Sequence, residues 1–267
     1  MLQRFLPDRR ERAFVWKYDH AVGGRRPRHF HEEPELNLVT RGAATFSVGD
    51  RIVHVKSGEL LAFPAGVDHA LLEASPDLYL YAVGLDPTYS TGVLAGRTDT
   101  VAPCHARLAA SDLTDVTDRA AAIVDRRGAE QLGAELWDRV HWLARRSLEA
   151  ERGSAHVLTR RTLKLVAAEP DCRLDALASE LRTHPSEVSR HFHRDVGLTL
   201  VRYRTRLRLL RVVRLVDAGQ DLMSAASDAG FGSYSQCHRS FHAELGCAPA
   251  SFFRSELRER MQLTYAG

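Results

Sequence analysis

The hydrophobic period of the sequence changes near Ala106, and this change divides the chain into two kinds of structure. Before Ala106, short alternating or β-branched segments are separated by glycines that suit tight turns. The predicted strands are residues 13–18, 35–40, 43–48, 51–56, 59–63 and 78–83. Many short strands at near-regular spacing are typical of a sandwich or barrel, and we predict such a β fold for this half.

After Ala106, apolar residues recur at intervals of three and four, which predicts helices over about 111–127 and 129–150. The second helix carries an apolar stripe of Leu132, Leu136, Val140, Leu143 and Leu148. An amphipathic helix needs a cover for its apolar face, so this stripe packs either on the β domain or on a second subunit. Glu149–Ser154 is the predicted linker, and the pattern beyond it is helical.

These patterns predict an α+β multidomain protein in three parts: a β domain over 1–104, a helical segment over 105–152 and an all-α domain over 153–267. Hydrophobic content of 44% and charged content of 27% are typical of a soluble globular chain. No apolar run approaches the ~20 residues that cross a bilayer, and the N-terminus lacks the apolar segment of a secretion signal. The four cysteines form neither a metal-type pair nor a disulfide framework. We expect a cytoplasmic protein with no membrane partner.

Charge is distributed unevenly between the two halves. From residue 156 onward 17 Lys and Arg stand against 12 Asp and Glu, whereas residues 1–155 carry 20 against 22. A basic surplus in one half favours a polyanionic partner for that half.

Two copies of one helical pattern lie in this basic half. Residues 174–181 and 185–192 keep an apolar spacing of three and four on both sides of a very short turn, and Pro185 suits the first turn of a helix. The pattern recurs about 48 residues later, with a turn at 230–232 and a helix at 233–241. Such spacing predicts two helix-turn-helix units, each with a second helix that can enter the major groove of DNA.

A helix of about 17 residues is predicted between the two units, from Leu200 to Val216. It would span roughly 25 Å, so the two second helices could reach successive major grooves about 34 Å apart. Arg204, Arg208 and Arg211 share one face of this helix. We expect them to contact DNA phosphates or to be solvated.

The β half contains a second spaced pattern, rich in potential metal ligands. It reads Gly23-(x5)-His29-x-His31-(x3)-Glu35-(x6)-Gly42, followed by Gly58-(x5)-Pro64-x-Gly66-(x2)-His69. Residues at i and i+2 of a strand point to one face, so His29 and His31 would point into the β domain together. Three imidazoles and a carboxylate suit Zn²⁺, Fe²⁺, Ni²⁺, Cu²⁺ or Mn²⁺. The alternative is that these histidines are structural.

The two spaced segments resemble the motifs of the cupin fold, a β-barrel also called a double-stranded β-helix. By this resemblance His29, His31, Glu35 and His69 form the metal tetrad of a cupin. The alternative is a decayed metal site, but Glu35 and His69 both keep the expected spacing here.

Residues 174–253 resemble the DNA-binding domain of the AraC/XylS family of bacterial regulators. The resemblance is carried by the residues Leu177-Ala178, Gly197, Tyr203, Leu207-Arg208, Gly230-Phe231, Gly246, Pro249 and Phe252. His184 departs from it, because the family usually has a capping Ser at this position. The resemblance assigns base contacts to the exposed early positions of each second helix: Ser186, Ser189, Arg190 and His193 in the first, and Tyr234, Ser235, His238 and Arg239 in the second.

The resemblance implies a ligand- or metal-responsive transcription regulator rather than an enzyme. It implies a homodimer that binds promoter DNA, with a small molecule or metal as effector and RNA polymerase as a further candidate partner. By the same analogy, the effector moves the DNA-binding units or frees an N-terminal arm (Met1–Arg12) from one of them. Two other hypotheses stay open: a cupin metalloenzyme of dioxygenase or isomerase type fused to a DNA-binding domain, and a β half that serves only for dimerisation.

Overall fold

The computed structural model describes residues 13–19, 27–85, 104–124 and 154–254, together with Leu2, Glu135, Arg139 and Trp142. The predicted apolar stripe, most of the linker and the N-terminal arm apart from Leu2 lie outside these residues. None of the described helices combines the length and the hydropathy that crossing a bilayer requires.

Within the described part of the N-terminal half, eight strands form two antiparallel sheets. They are β1 Ala13–Asp19, β2 Glu35–Arg41, β3 Ala43–Val48, β4 Arg51–Lys56, β5 Glu59–Phe63, β6 His69–Ala74, β7 Tyr79–Leu85 and β8 Cys104–Arg107. One sheet has the order β1-β7-β2-β5-β8 and the other has the order β4-β3-β6. All six predicted strands are confirmed. β6 and β8 were not predicted, and β8 extends the β domain past residue 104 by pairing with β5.

Alternate side chains along β2 pack in two different hydrophobic cores. Leu36 and Leu38 pack, with Val116 and Ala120, in the core formed by the first helix. Val39 on the opposite face belongs to a second core. Because successive side chains of a strand point to opposite faces, Glu35 and Asn37 share the face of Val39.

Eight helices are described in full. They are α1 Ala110–Val124, α2 Ser154–Ala168, α3 Leu174–Glu180, α4 Pro185–Val196, α5 Leu200–Asp217, α6 Leu222–Asp228, α7 Tyr234–Leu245 and α8 Pro249–Arg254. The pairs α3–α4 and α6–α7 are the two predicted helix-turn-helix units, and α5 connects them. Phe192 of α4 packs on Tyr203 of α5, with 5.2 Å between ring centroids.

Capping residues account for where α4 and α7 begin and end. His184 precedes α4, and its Nδ1 accepts a hydrogen bond from the Ser186 amide at 3.3 Å, so an imidazole fills the role of the usual serine cap. Ser233 caps α7 in the ordinary way. Gly197 and Gly246 end α4 and α7 in the left-handed conformation, which glycine adopts at little cost.

The apolar core continues from the β domain into the DNA-binding units. Val39, Phe46 and Phe63 belong to the same buried cluster as Leu177 and Phe192 of the first unit. Leu2 and Phe30 belong to the buried cluster of the second unit. The β domain therefore packs against both units.

Candidate functional site

A cluster of three buried histidines lies at one end of the β domain. The ligand nitrogens of His29, His31 and His69 all lie within 4.8 Å of one another. His29 and His69 face each other in an isolated antiparallel bridge, with backbone hydrogen bonds of 3.1 and 2.8 Å. The Gly66 amide donates to the His31 carbonyl at 2.8 Å, so backbone pairing holds the two histidine-bearing segments together.

The orientation of each imidazole is fixed by its Nδ1 atom. Nδ1 of His29 lies 2.8 Å from the Pro27 carbonyl oxygen. The corresponding distances are 2.7 Å from His31 to Glu33 and 3.0 Å from His69 to Val67. Since a carbonyl oxygen only accepts, each Nδ1 carries a proton, and in the neutral form of the ring Nε2 keeps a lone pair. Such outer hydrogen bonds are typical of histidines that bind a metal.

Glu35 completes the cluster from the first position of β2. Its Oε2 lies 3.1 Å from His31 Nε2 and 3.7 Å from His69 Nε2. Its Oε1 accepts a hydrogen bond from Asn37 Nδ2 at 2.7 Å. The structure thus brings together all four residues that the sequence singled out. The orienting role of Asn37 was missed, although its i+2 spacing from Glu35 was a readable signal.

Burial sets the charge state of these imidazoles. Loss of solvent lowers the pKa of His31 to about 3, against a smaller opposing effect of its hydrogen bond to Glu33. Burial, followed by the charge of His29, holds the pKa of His69 well below its ordinary value. Both rings are therefore neutral, as metal ligands must be.

The donor set fits a divalent cation. A neutral His31 has one N–H, yet its two nitrogens face two acceptors, the Glu33 carbonyl and the Glu35 carboxylate. His69 Nε2 is buried, and among the described residues it has no hydrogen-bond partner. A cation at the centre would accept both Nε2 lone pairs and Glu35 Oε2, and would neutralise a buried carboxylate.

Comparison with known families covers both halves of the chain. Residues 14–140 match the family described as AraC-like ligand binding domain. Residues 177–255 match the family described as helix-turn-helix domain. The two matches together support an AraC-family transcription regulator. This AraC-family regulator therefore joins a ligand-binding sensor domain to a DNA-binding domain with two helix-turn-helix units.

Solved structures similar to the regulator include ToxT from Vibrio cholerae. It is 13% identical, with a TM-score of 0.46, over 90% of this chain and 96% of that chain. A ToxT complex with (E)-4-(8-methylnaphthalen-1-yl)but-3-enoic acid is 11% identical, with a TM-score of 0.46, over 94% of this chain and 100% of that chain. Oxalate decarboxylase from Bacillus subtilis, described with Mn(II) centres, is 20% identical with a TM-score of 0.23 over 28% of this chain and 26% of that chain. No curated protein matches the sequence.

The second helix of each unit presents polar side chains. Ser186, Arg190 and His193 are exposed on α4, and Ser189 is half-buried. On α7, Ser235, His238 and Arg239 are exposed and Tyr234 is half-buried. Arg190 forms an ion pair with Glu187 at 2.6 Å. The predicted base-contacting residues of each helix thus have most of their polar groups at the surface.

The three arginines predicted to touch phosphate differ in their surroundings. Nε of Arg204 donates to the Pro170 carbonyl at 2.5 Å. Nε of Arg208 donates to Asp171 Oδ1 at 2.7 Å. These two arginines of α5 thus bond to residues 170–171, which precede α3. Arg211 is exposed. Sequence periodicity placed all three on one face but could not show that two of them have partners inside the protein.

The sensor contacts the first unit through the turn between β3 and β4. The Asp50 amide donates to the Gly197 carbonyl at 2.9 Å. Nη1 of Arg51 donates to the Asp195 carbonyl at 2.6 Å. His193, a predicted base-contacting residue, lies 3.1 Å from the Asp50 carboxylate. The C-terminal end of α4 is therefore held against the sensor.

The sensor contacts the second unit through Arg206 of α5. This side chain is buried, and its Nη1 donates to Asp68 Oδ1 at 2.5 Å and to the Gly66 carbonyl at 3.1 Å. Its Nε donates to Glu244 Oε2 of α7 at 2.7 Å. Nothing in the sequence distinguishes Arg206, because its partners are distant in the chain.

Proposed function

We propose that the sensor domain of this regulator binds a divalent transition metal through His29, His31, Glu35 and His69. The observation that carries the proposal is the set of three Nδ1–carbonyl hydrogen bonds. In a neutral imidazole, such a bond leaves the Nε2 lone pair available to a metal ion. Zn²⁺, Fe²⁺, Ni²⁺, Cu²⁺ and Mn²⁺ all accept this mixture of imidazole and carboxylate. Structural histidines would not need the Nε2 atoms of both His31 and His69 within 3.7 Å of one carboxylate oxygen of Glu35.

The metal itself serves as the signal in this proposal. Val39, Val55 and Phe63 are fully buried in one apolar cluster of the β domain. Phe63 also packs against His69, with 4.1 Å between ring centroids. This packing supports a sensor that responds to an ion at the histidine cluster. An organic effector would instead bind as an additional ligand of the ion.

The test is direct measurement of bound metal. We expect the full chain, stripped with a chelator and dialysed against each metal in turn, to retain about one ion per chain with at least one of the five. A variant carrying His29→Ala, His31→Ala and His69→Ala should retain none. The matched control carries His54→Ala and His105→Ala, two exposed histidines outside the cluster, and should load like the wild type. A wild-type chain that retains none of the five metals overturns the proposal.

We propose that the centre senses rather than catalyses. The family assignment supports this role, since both matched families describe ligand or DNA binding. Turnover of a small organic substrate by the metal-loaded protein, lost in the triple histidine variant with DNA binding unchanged, would instead support the metalloenzyme hypothesis.

We propose further that α4 and α7 read bases in successive major grooves of promoter DNA. The residues assigned to base contacts are Ser186, Ser189, Arg190, His193, Tyr234, Ser235, His238 and Arg239. Arg211 is assigned to the phosphate backbone, because Arg204 and Arg208 would first have to release residues 170–171. A homodimer formed through residues 129–150 and a cytoplasmic location, as inferred from the sequence, complete the proposal.

A further inference from the structure

Arg206 occupies a position between the histidine cluster and the second DNA-binding unit. It lies in the middle of α5 with 2% of its surface exposed. A buried guanidinium group is stable only when its charge is paired and its N–H groups are bonded. Arg206 meets this need with acceptors from two domains, so its position depends on both domains at once.

The sensor-side partners of Arg206 are chain neighbours of the metal-binding residues. Asp68, which accepts from Nη1, immediately precedes His69. The guanidinium carbon lies 4.7 Å from the ring centroid of Phe30, and Phe30 separates His29 from His31. The Gly66 amide bonds to the His31 carbonyl while the Gly66 carbonyl accepts from Arg206. A cation that draws the three imidazoles together would therefore fix the backbone that holds these partners.

The other partner of Arg206 lies on the second recognition helix. Nε of Arg206 donates to Glu244 Oε2 at 2.7 Å, and Glu244 is in the last turn of α7. Phe30 adds an apolar contact, since it shares a buried cluster with Leu209 and Leu210 of α5 and with Phe241 of α7. A continuous chain of contacts therefore runs from His69 through Asp68, Arg206 and Glu244 to the helix that carries Tyr234, Ser235, His238 and Arg239.

Arg202 provides a natural comparison, because it lies about one helical turn from Arg206 and bonds to the same carboxylate. Its Nε donates to Glu244 Oε1 at 2.8 Å. Unlike Arg206, its side chain is half exposed, and its ion pair with Glu244 lies within the DNA-binding domain. The two arginines thus share the partner on α7 and differ in their contact with the sensor.

We propose that Arg206 is the positioning residue through which metal binding at the histidine cluster sets the placement of the second helix-turn-helix unit. This inference rests on the proposed metal site. Metal occupancy orders Phe30 and Asp68, these two residues fix Arg206, and Arg206 fixes the end of α7 through Glu244. Metal and DNA are therefore coupled ligands of this protein. Binding of either one changes the protein's affinity for the other by the same factor.

The experiment compares DNA binding in the stripped and the Zn²⁺-loaded full chain, or with whichever of the five metals the wild type retains. The dissociation constant for a specific operator is measured in both states for wild type, Arg206→Gln and Arg202→Gln, with metal content determined in parallel. In wild type we expect the two constants to differ by about 5–150-fold, the usual range for coupled sites. Arg206→Gln should still bind metal but bring the ratio to about one. Arg202→Gln should keep the wild-type ratio.

A second variant covers the case in which Arg206→Gln does not fold. Arg206→Lys keeps the charge, but a single ammonium group cannot replace a planar fork that bonds to Asp68, Gly66 and Glu244 together. We expect it to fold, to bind metal and to show a reduced ratio.

The outcomes separate the coupling from the metal site itself. A wild type that retains no metal overturns both proposals. A wild type that binds metal with no change in DNA affinity overturns the coupling alone. The coupling is also overturned if both Arg206 variants keep the wild-type ratio of dissociation constants. It is likewise overturned if Arg202→Gln lowers this ratio as much as Arg206→Gln does.

Discussion

Nε2 of His31 lies 3.1 Å from Oε2 of Glu35, a separation suited to two atoms that bind one ion. The contact is maintained from both sides. Glu33 holds the far nitrogen of the imidazole, and Asn37 holds the far oxygen of the carboxylate. Residues outside the proposed ligand set therefore arrange the histidine cluster, and the contact from the Asn37 side chain can be removed by mutation.

Asn37→Ala is expected to weaken metal binding without removing a ligand. The substitution removes the hydrogen bond that holds Glu35 Oε1, and loss of such an orienting partner typically lowers metal affinity about 10–100-fold. Competition with a chromophoric chelator measures this change. Thr40→Val is the control, because Thr40 lies on the same strand and bonds to the Tyr79 carbonyl, away from the cluster. Equal affinities for wild type and Asn37→Ala would contradict the assignment.

Arg190→Ala and Arg211→Ala should affect DNA binding in different ways. If Arg190 reads a base, its loss costs about 1–3 kcal/mol at the specific operator and little on random DNA. Loss of Arg211 should weaken both complexes similarly and reduce the salt dependence by about one counterion. Titrations of both DNAs at several salt concentrations distinguish the two patterns. A uniform loss for Arg190→Ala would reassign it to phosphate.

Gly49→Ala should loosen the contact between the sensor and the first unit. Gly49 has φ of 58°, and an added Cβ would overlap the backbone carbonyl of Gly197. The left-handed conformation alone costs about 1–3 kcal/mol for a residue with a side chain. Gly219→Ala is the matched control, since Gly219 also has a positive φ but has nothing within 4 Å of the added atom.

Hydrogen exchange of the Asp50 amide, which donates to Gly197, measures this effect. We expect faster exchange in Gly49→Ala and unchanged exchange in Gly219→Ala. Exchange that accelerates equally in both variants would attribute the effect to general destabilisation rather than to the contact between domains.

A substitution at His184, the N-terminal cap of α4, should be able to stabilise the protein. The imidazole accepts from the Ser186 amide at a rather long 3.3 Å, whereas serine is among the preferred residues at this position. We expect His184→Ala to lower the free energy of unfolding by about 0.5 kcal/mol and His184→Ser to raise it by a similar amount. Urea unfolding checks both. Ser179→Ala, an exposed change in α3, should stay close to wild type.

Glu244 should make the free energy of unfolding depend on pH. Burial alone would raise the pKa of Glu244, but hydrogen bonds from Arg202 and Arg206 outweigh burial and hold its pKa below the ordinary value of 4.5. A carboxyl group with a lower pKa in the folded state stabilises above its unfolded pKa, and this contribution disappears as the pH falls through the folded pKa.

We therefore expect Glu244→Gln to be less stable than wild type at pH 7, with the difference shrinking toward pH 3. Urea unfolding across this range measures the difference, and the exposed Glu180→Gln serves as the control. A difference that stays constant from pH 7 to pH 3 would show that Glu244 acts through shape rather than charge.

The sequence predicted most of the local structure and the residues that meet in the histidine cluster. Strands and helices follow from hydrophobic period, and the spacing of His29, His31, Glu35 and His69 selects residues that the structure brings together. β8 was missed because its four residues carry no strong β pattern and are ordered by pairing with β5. Local preference is weak at such a position, and the tertiary partner decides the conformation.

Contacts between domains were beyond sequence reasoning for a physical reason. Arg206 and Asp68 are separated by 138 residues, and either could have been an ordinary surface charge. Their pairing depends on how two folded domains dock. Likewise, nothing local distinguishes Arg204 and Arg208, which bond to the loop at 170–171, from the exposed Arg211.

The buried cluster that runs from Phe46 and Phe63 of the sensor to Leu177 and Phe192 of the first unit also limits how such a protein can change over time. A hybrid that joined this sensor to the DNA-binding domain of a relative would set mismatched apolar surfaces against each other. Substitutions at the junction must therefore be compensated on its opposite side. We therefore expect the sensor and the DNA-binding domain to tolerate exchange only as one unit and not as independent cassettes.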